Sequence, residues 1–96
     1  MAFTFLSRFR VKADHESEFV DLIPQMEANA AAEPATLAYK FYRLDEPLMF
    51  GVFESFVDAD ADHAHQANPA SAPIIARMIN CIDGNYVREM LNDVTA

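Results

Sequence analysis

The sequence contains little of what most metal and cofactor sites require. Its single cysteine, Cys81, excludes an internal disulfide and any metal site built from several thiolates. Its only two glycines, Gly51 and Gly84, cannot form the glycine-rich loop that binds the phosphates of a flavin or nicotinamide nucleotide. The sequence therefore predicts a protein without a bound metal and without a cofactor.

Basic residues are also few, and their scarcity limits the classes of partner. Seven Lys and Arg residues stand against fifteen Asp and Glu residues, which gives a formal net charge of −8. Such a charge repels nucleic acid and anionic membranes. No apolar run approaches the roughly 20 residues of a membrane-spanning helix, and the N-terminus does not show the charged and then apolar order of a signal peptide. We expect a cytoplasmic protein that binds neither nucleic acid nor membrane.

Apolar side chains, in contrast, are abundant. Hydrophobic residues make up 52% of the 96 residues and include eight Phe and five Met. This length fits one domain, covering residues 1–96, and a domain of this size buries only about two-thirds of its unfolded surface. Some of the apolar surface is therefore expected to be buried against a partner.

The periodicity of the first third predicts a strand followed by a helix. Phe3, Phe5 and Phe9 alternate with polar residues, and Ser7 interrupts their apolar face. The helix is expected to begin at Asp14, to have a kink or a missing backbone hydrogen bond at Pro24, and to end near residues 33–34. Its apolar stripe consists of Phe19, Leu22, Ile23, Met26 and Ala30.

Two further alternating runs, residues 35–43 and 48–56, predict an antiparallel hairpin joined by the turn at residues 45–47. On the first run Leu37, Tyr39 and Phe41 are predicted to share a face. The second run is apolar on both faces, so both should be covered. Helices can cover one face, and a partner subunit is the simplest cover for the other.

The last third predicts a helix that begins at Asp58 and breaks at Asn68-Pro69, a further helical segment over 71–78, and a final strand over 86–91. The resulting order is β-α-β-β-α-β. This is the order of the ferredoxin-like α+β fold with an antiparallel sheet.

Three segments together resemble a known family. They are SRFRVKADHESEF (residues 7–19), EPATLAYKFYR (33–43) and FGVFESFVDADADHAHQANP (50–69), and their order and spacing are similar to those of the antibiotic biosynthesis monooxygenase superfamily. The resemblance implies a dimeric α/β barrel in which the sheets of two subunits pack face to face, with a small pocket between sheet and helices. Members include cofactor-free oxidisers of aromatic polyketides, quinol monooxygenases, haem-degrading enzymes and an isomerase, so the fold does not settle the function.

Glu54 and His65 are the candidate catalytic residues. Glu54 shares a strand face with Phe50, Val52 and Phe56, and burial among apolar side chains raises the pKa of a carboxyl group. His65, on the following helix, is expected to reach Glu54 and to transfer protons near neutral pH. The alternative is that the two residues only hydrogen-bond and hold the helix on the sheet.

The remaining candidates would bind substrate: Ser7, Tyr39, Phe50, Val52, Phe56 and Asn68. Each polar member has a structural alternative. Ser7 is equally explained as a core serine, Tyr39 as a core aromatic whose hydroxyl has a partner, and Asn68 as a helix terminator.

Calcium and haem are both disfavoured. The run from Asp58 to His65 begins like a calcium loop, but His63 takes the glycine position and Pro69 the position of the bidentate Glu. His63 and His65 point in different directions on a helix. By the family resemblance, Ser7, His65 and Ile75 stand where haem-degrading relatives have Asn, Trp and His.

Three functions remain open at this stage. The first is a cofactor-independent monooxygenase of a quinol or phenol, with His65 as base, Glu54 as its partner, and Tyr39 and Ser7 positioning the ring. The second is a non-oxidative isomerase or decarboxylase of a small carbonyl compound. The third is a non-enzymatic binding or stress-related dimer, whose pocket is small or filled by aromatic side chains.

Overall fold

The computed structural model describes residues 2–95. Five strands and three helices occur in the order β1 (Phe3–Val11), α1 (Glu16–Ala31), β2 (Thr36–Arg43), β3 (Met49–Phe56), α2 (Ala59–Ala67), α3 (Ala72–Cys81), β4 (Ile82–Asp83) and β5 (Arg88–Met90). One turn of 3₁₀ helix, Ala13–His15, precedes α1. Within this range no helix is long and apolar enough to cross a membrane.

The strands form one antiparallel sheet in the order β2-β3-β1, and both β4 and β5 pair with the remaining edge of β1. This arrangement confirms the predicted ferredoxin-like α+β fold. The sheet of the single chain remains open. The predicted last strand, residues 86–91, is shorter than expected, since β5 covers only Arg88–Met90. Gly84 turns the chain between β4 and β5 with a φ of +87°, a conformation that favours glycine.

The helices cover one face of the sheet and form the core with it. Phe5, Ser7, Phe9 and Val11 all point inward from β1 and are buried, because side chains two apart lie on the same face of a strand. They pack with the stripe that α1 buries, which consists of Phe19, Leu22, Met26 and Ala30. The inner face of β1 and the predicted stripe are thus confirmed, except that Ile23 is only partly buried.

Two details of the first half differ from the predictions. The α-helix begins at Glu16, after the 3₁₀ turn, and not at Asp14. Leu37 was predicted to share a buried face with Tyr39 and Phe41, and this was wrong: its side chain is 58% exposed. The register shifts between Thr36 and Ala38, so Leu37 has no partner on β3 and the alternation is interrupted there.

The break between the second and third helices is as predicted. Asp58 caps α2, since its carboxylate accepts a hydrogen bond of 2.9 Å from the backbone N–H of Ala61. The helix ends at Ala67, immediately before Asn68-Pro69, and α3 begins at Ala72. This break places the end of α2, which carries His65, over the inner face of the sheet.

Candidate functional site

A cavity of about 130 Å³, partly open to solvent, lies between the inner face of the sheet and the helices. Its apolar wall consists of Phe9, Phe19, Phe41, Val52, Ile75, Met78, Ile79 and Ile82. Its polar wall consists of Ser7, Tyr39, Glu54, His65, Gln66, Tyr86 and Arg88. An apolar cavity of about 150 Å³ takes up benzene, so this one matches a single aromatic ring.

The structure brings five of the eight predicted site residues together at this cavity: Ser7, Tyr39, Val52, Glu54 and His65. The other three do not line it. Phe50 is buried beneath Phe19, at a ring-centroid distance of 5.1 Å, and Phe56 packs against the His65 ring at 5.3 Å. Asn68 lies behind His65. The cavity is present beside His65 and is not filled by the aromatic side chains around it.

His65 is held by a residue that the sequence did not suggest for this role. Its Nδ1 atom lies 2.8 Å from Oε1 of Glu33, and its side chain is only 3% exposed. The ring also packs between Tyr39 and Phe56, at centroid distances of 4.9 and 5.3 Å. Both the position and the tilt of the imidazole are therefore fixed by neighbours on the sheet and on the loop before β2.

Glu33 acts as an ionised acceptor at the centre of a small hydrogen-bond network. Besides His65, the Thr36 hydroxyl donates to Oε1 at 2.8 Å, and the Asn68 side chain donates to Oε2 at 2.8 Å. Burial alone would raise the pKa of Glu33, but the hydrogen bonds from Asn68, His65 and Thr36 outweigh it and hold the pKa of this carboxyl below its usual value. An ionised Glu33 places the proton of neutral His65 on Nδ1 and leaves Nε2 with a free lone pair.

Glu54 lies on the other side of the imidazole. Its Oε1 atom is 4.0 Å from His65 Nε2, which is beyond hydrogen-bond distance. Its carboxyl group makes no hydrogen bond to any described residue. Burial, opposed by Arg88 and reinforced by Asp62, raises the pKa of Glu54 to about 7. His65 on α2 is therefore hydrogen-bonded to Glu33, on the loop before β2, and not to Glu54.

Two hydroxyl groups complete the polar wall opposite the helices. Tyr39 and Ser7 both line the cavity, and neither hydroxyl has a hydrogen-bond partner within residues 2–95. Burial, together with the carboxylates of Glu54 and Glu27, raises the pKa of Tyr39 far above its usual value. The phenol therefore stays protonated and keeps an O–H donor at the cavity wall.

An ion pair between Arg88 and Asp62, of which only Asp62 is buried, lies beside the cavity on the side of β5. Arg88 donates two hydrogen bonds to Asp62, at 2.7 and 3.2 Å, and its guanidinium group stacks over the Phe5 ring at 4.1 Å. Gln66, one turn beyond Asp62 on α2, donates to the same carboxylate at 3.2 Å. Arg88 and Gln66 both line the cavity, whereas Asp62 supports them from behind and is 2% exposed.

Several residues of the site were not among those predicted from the sequence. Glu33 was visible only as the acidic residue before Pro34 and as part of a family pattern. Its partner, His65, lies 32 positions away, and no periodicity connects them. Tyr86 and Arg88 were visible only as members of a predicted strand. In the described part of the chain, no group of three His, Cys, Asp or Glu side chains is arranged to hold a metal ion.

Comparisons with known proteins give the family. A family model described as antibiotic biosynthesis monooxygenase matches residues 2–77. No curated protein matches the chain. The structure of Rv0793 from Mycobacterium tuberculosis is similar, with a TM-score of 0.87 at 18% identity over 100% of this chain and 98% of that one.

Two further solved structures carry related names. A protein from Caulobacter crescentus named for the same family aligns with a TM-score of 0.86 at 24% identity, over 97% of this chain and 90% of that one. SnoaB from Streptomyces nogalater, described as a cofactor-independent oxygenase, aligns with a TM-score of 0.78 at 19% identity, over 99% of this chain and 95% of that one. At these identities the structural likeness supports the fold alone, and the match over residues 2–77 decides the family. The chain belongs to the antibiotic biosynthesis monooxygenase family.

Proposed function

We propose that this protein is a cofactor-independent monooxygenase that oxidises a small, electron-rich phenol or quinol with molecular oxygen. The observation that carries the proposal is the arrangement of His65, whose Nδ1 is fixed by Glu33 at 2.8 Å while its Nε2 lies 4.0 Å from the Glu54 carboxyl group. A base and an acid thereby flank the same small space in an otherwise largely apolar cavity.

One oxygen atom of a substrate fits between these two groups. Since hydrogen bonds of this kind are about 2.8 Å long, an oxygen atom placed between His65 Nε2 and Glu54 Oε1, which are 4.0 Å apart, reaches both. A phenolic hydroxyl there donates its proton to His65 Nε2 and accepts a hydrogen bond from the protonated form of Glu54. The ionised Glu33 then stabilises the imidazolium ion that forms.

The chemistry that follows is supplied by the substrate and by oxygen. The phenolate of a hydroquinone transfers an electron to O₂, and the resulting radical pair joins to form a peroxide at a ring carbon. Loss of the ring proton and cleavage of the O–O bond then release one water molecule and leave one oxygen atom on the ring. Hydroquinone and O₂ are thus converted to hydroxyquinone and water, and Glu54 is placed to protonate the departing hydroxide.

Labelled oxygen tests this function directly. Purified protein is incubated with hydroquinone under ¹⁸O₂, with oxygen uptake measured by electrode and the product by mass spectrometry. The proposal expects one labelled atom in each product molecule and at least a hundredfold loss of rate in His65→Ala, since a positioned base contributes about 10²–10⁴. His63→Ala is the matched control, because His63 lies on the same helix but is exposed. Product without label overturns the proposal.

The same acid and base would also serve a non-oxidative isomerase of a carbonyl compound. Proton transfer between carbon and oxygen needs a base and an acid close together, and the 4.0 Å separation between His65 and Glu54 meets that need. Turnover of an enolisable ketone under nitrogen, lost in His65→Ala, would support this second function in place of the first.

We further propose that two copies of the chain pack through the faces of their sheets that the helices leave uncovered. Leu6 and Phe53 are cross-strand partners on that face, and both remain partly exposed in the single chain. Neighbouring Gly51 has no side chain, and its position lies close to Leu6 and Leu44. The apolar character of this face and the sequence resemblance to dimeric barrels both support the arrangement.

A further inference from the structure

We infer that the cavity selects uncharged aromatic substrates over anionic ones, and that Asp62 sets this preference by neutralising Arg88. The inference deepens the proposed function and rests on it for the aromatic class of ligand. Arg88 is the one Lys or Arg among the described residues that line the cavity. A carboxylate or sulfonate on a substrate would need this cation, because nothing else on the wall carries a permanent positive charge.

The guanidinium group of Arg88 is already engaged. Two of its nitrogen atoms donate to the two oxygens of Asp62 at 2.7 and 3.2 Å, and its face is stacked on Phe5 at 4.1 Å. Such a bidentate pair is geometrically specific and strong. An anionic ligand would have to displace Asp62 or share the guanidinium with it.

Displacement of Asp62 from Arg88 is unfavourable because the Asp62 carboxylate has no other cationic partner among the described residues. The Asp62 side chain is 2% exposed, and its other partner is the neutral amide of Gln66. Removing Arg88 from it would leave a buried carboxylate without a counterion, which is strongly destabilising. Arg88, whose side chain is 34% exposed, therefore stays with Asp62 and does not turn toward a ligand.

The other charges near the cavity also disfavour an anionic ligand. Glu33 lies behind His65, and Glu54 forms part of the wall. With the Arg88 and Asp62 charges cancelling, the fixed charge that a ligand meets is negative or zero. The net charge of −8 on the whole chain adds a long-range repulsion of anions.

A pair of ligands of equal size tests this preference without catalysis. Binding of para-hydroxybenzamide and para-hydroxybenzoate is measured by titration calorimetry under nitrogen at neutral pH, where only the second is an anion. The wild-type protein should bind the amide roughly tenfold or more tightly, since an unpaired charge brought into such a site loses its solvation.

The variant Asp62→Asn should reduce or reverse that ratio, because Arg88 then lacks a counterion and becomes available to the benzoate. Asp60→Asn is the matched control, since it removes the same charge from an exposed position of the same helix and should leave the ratio unchanged. Circular dichroism and thermal unfolding establish that each variant is folded. If Asp62→Asn does not fold, the wild-type ratio still decides the preference.

Three results would overturn the inference: equal or tighter binding of the benzoate by the wild-type protein, an unchanged ratio in folded Asp62→Asn, or no binding of either ligand. Oxygen uptake with hydroquinone is measured separately. A protein that inserts labelled oxygen but shows no charge preference would keep the proposed function and lose this inference. A preference for the amide without any oxygen uptake would keep this inference and contradict the proposed function.

Discussion

The imidazole of His65 lies between two carboxyl groups whose environments differ: Glu33 is 2.8 Å from Nδ1, and Glu54 is 4.0 Å from Nε2. Hydrogen bonds from three side chains keep Glu33 ionised, whereas burial raises the pKa of Glu54 to about 7. Pairs of titratable groups whose pKa values are separated in this way commonly divide the acid and base roles between them. In the proposed reaction, Glu33 would fix the tautomer of the base, and Glu54 would exchange protons with the substrate.

The first prediction concerns Glu33→Gln. The amide keeps the size of the side chain but offers a donor as well as an acceptor to Nδ1, so His65 is free to carry its proton on Nε2. The rate of the reaction should fall by up to about 10⁴, the loss found when the orienting carboxylate of a catalytic triad is replaced by an amide, with little change in KM. Steady-state oxygen uptake measures both quantities.

Nitrogen NMR of the imidazole separates a lost tautomer from a lost fold. The wild-type protein should show the proton of the neutral ring on Nδ1, and Glu33→Gln should show a shift of population toward Nε2. Glu16→Gln, which removes a partly exposed carboxylate paired with Arg43, is the control and should change neither the tautomer nor the rate. An unchanged rate in Glu33→Gln would contradict the role of Glu33 as a positioning residue.

The second prediction concerns Asn68→Ala and the stability that Glu33 provides. A carboxyl group with a lowered pKa stabilises the fold above its unfolded pKa, and this contribution is lost as the pH falls through the folded pKa. Removing the 2.8 Å donor to Oε2 should therefore cost about 1–3 kcal/mol at about pH 7. The cost should become smaller at about pH 3, where Glu33 is protonated in both proteins.

Urea unfolding at the two pH values measures this difference, and Asn68→Asp provides a sharper comparison. Aspartate keeps an oxygen that can accept from the backbone N–H of Ala70, as Asn68 does at 3.0 Å, but it replaces the donor to Glu33 with a negative charge. It should be less stable than Asn68→Ala at neutral pH and recover in acid. A pH-independent loss in both variants would show that the hydrogen bond to Glu33 does not carry the effect.

A third prediction tests the proposed dimer. Phe53→Lys places a charge on the uncovered sheet face, directly opposite Leu6, and two like charges would meet or be desolvated if two such faces pack together. Sedimentation should show a dimer for the wild-type protein and a monomer for the variant. Ala64→Lys, which places the same charge at an exposed position of α2 on the other side of the sheet, should leave the mass unchanged. A wild-type monomer would contradict the proposal.

The fold could be predicted from the sequence because its signals are local. The alternation around Phe5 and Phe9 and the helical stripe through Phe19 each follow the period of one element. The break at Asn68-Pro69 is likewise marked by two neighbouring residues. Leu37 was misplaced because a bulge adds one residue without changing the composition of the strand. The short strand β4 was not predicted, because its pairing with β1 covers only two residues and no local period reveals it.

The site was only partly predictable, for a different physical reason. Glu54 and His65 were conspicuous as polar residues within apolar patterns. The relationship that matters most, between His65 and Glu33, joins residues that lie far apart in the chain, and the distance between them is set by how α2 packs on the loop before β2. The pairing of Arg88 with Asp62 is of the same kind, since β5 and α2 are separate elements that come together only in the folded structure.

The last prediction concerns Glu54→Gln and the pH dependence of stability. A carboxyl group whose folded pKa is raised destabilises the fold as the pH increases, because the unfolded state ionises first, at about pH 4.5, and the folded state only near pH 7. A rise from 4.5 to about 7 corresponds to about 3 kcal/mol. Glutamine carries no charge, so the variant should match the wild-type protein at about pH 4 and exceed its free energy of unfolding by up to about 3 kcal/mol at about pH 8. Chemical unfolding across this pH range measures the difference, with Asp60→Asn as an exposed control. Parallel curves of unfolding free energy against pH for wild type and Glu54→Gln would mean that Glu54 is not desolvated in the folded protein. The acid of the proposed reaction would then have to be another residue of the cavity wall.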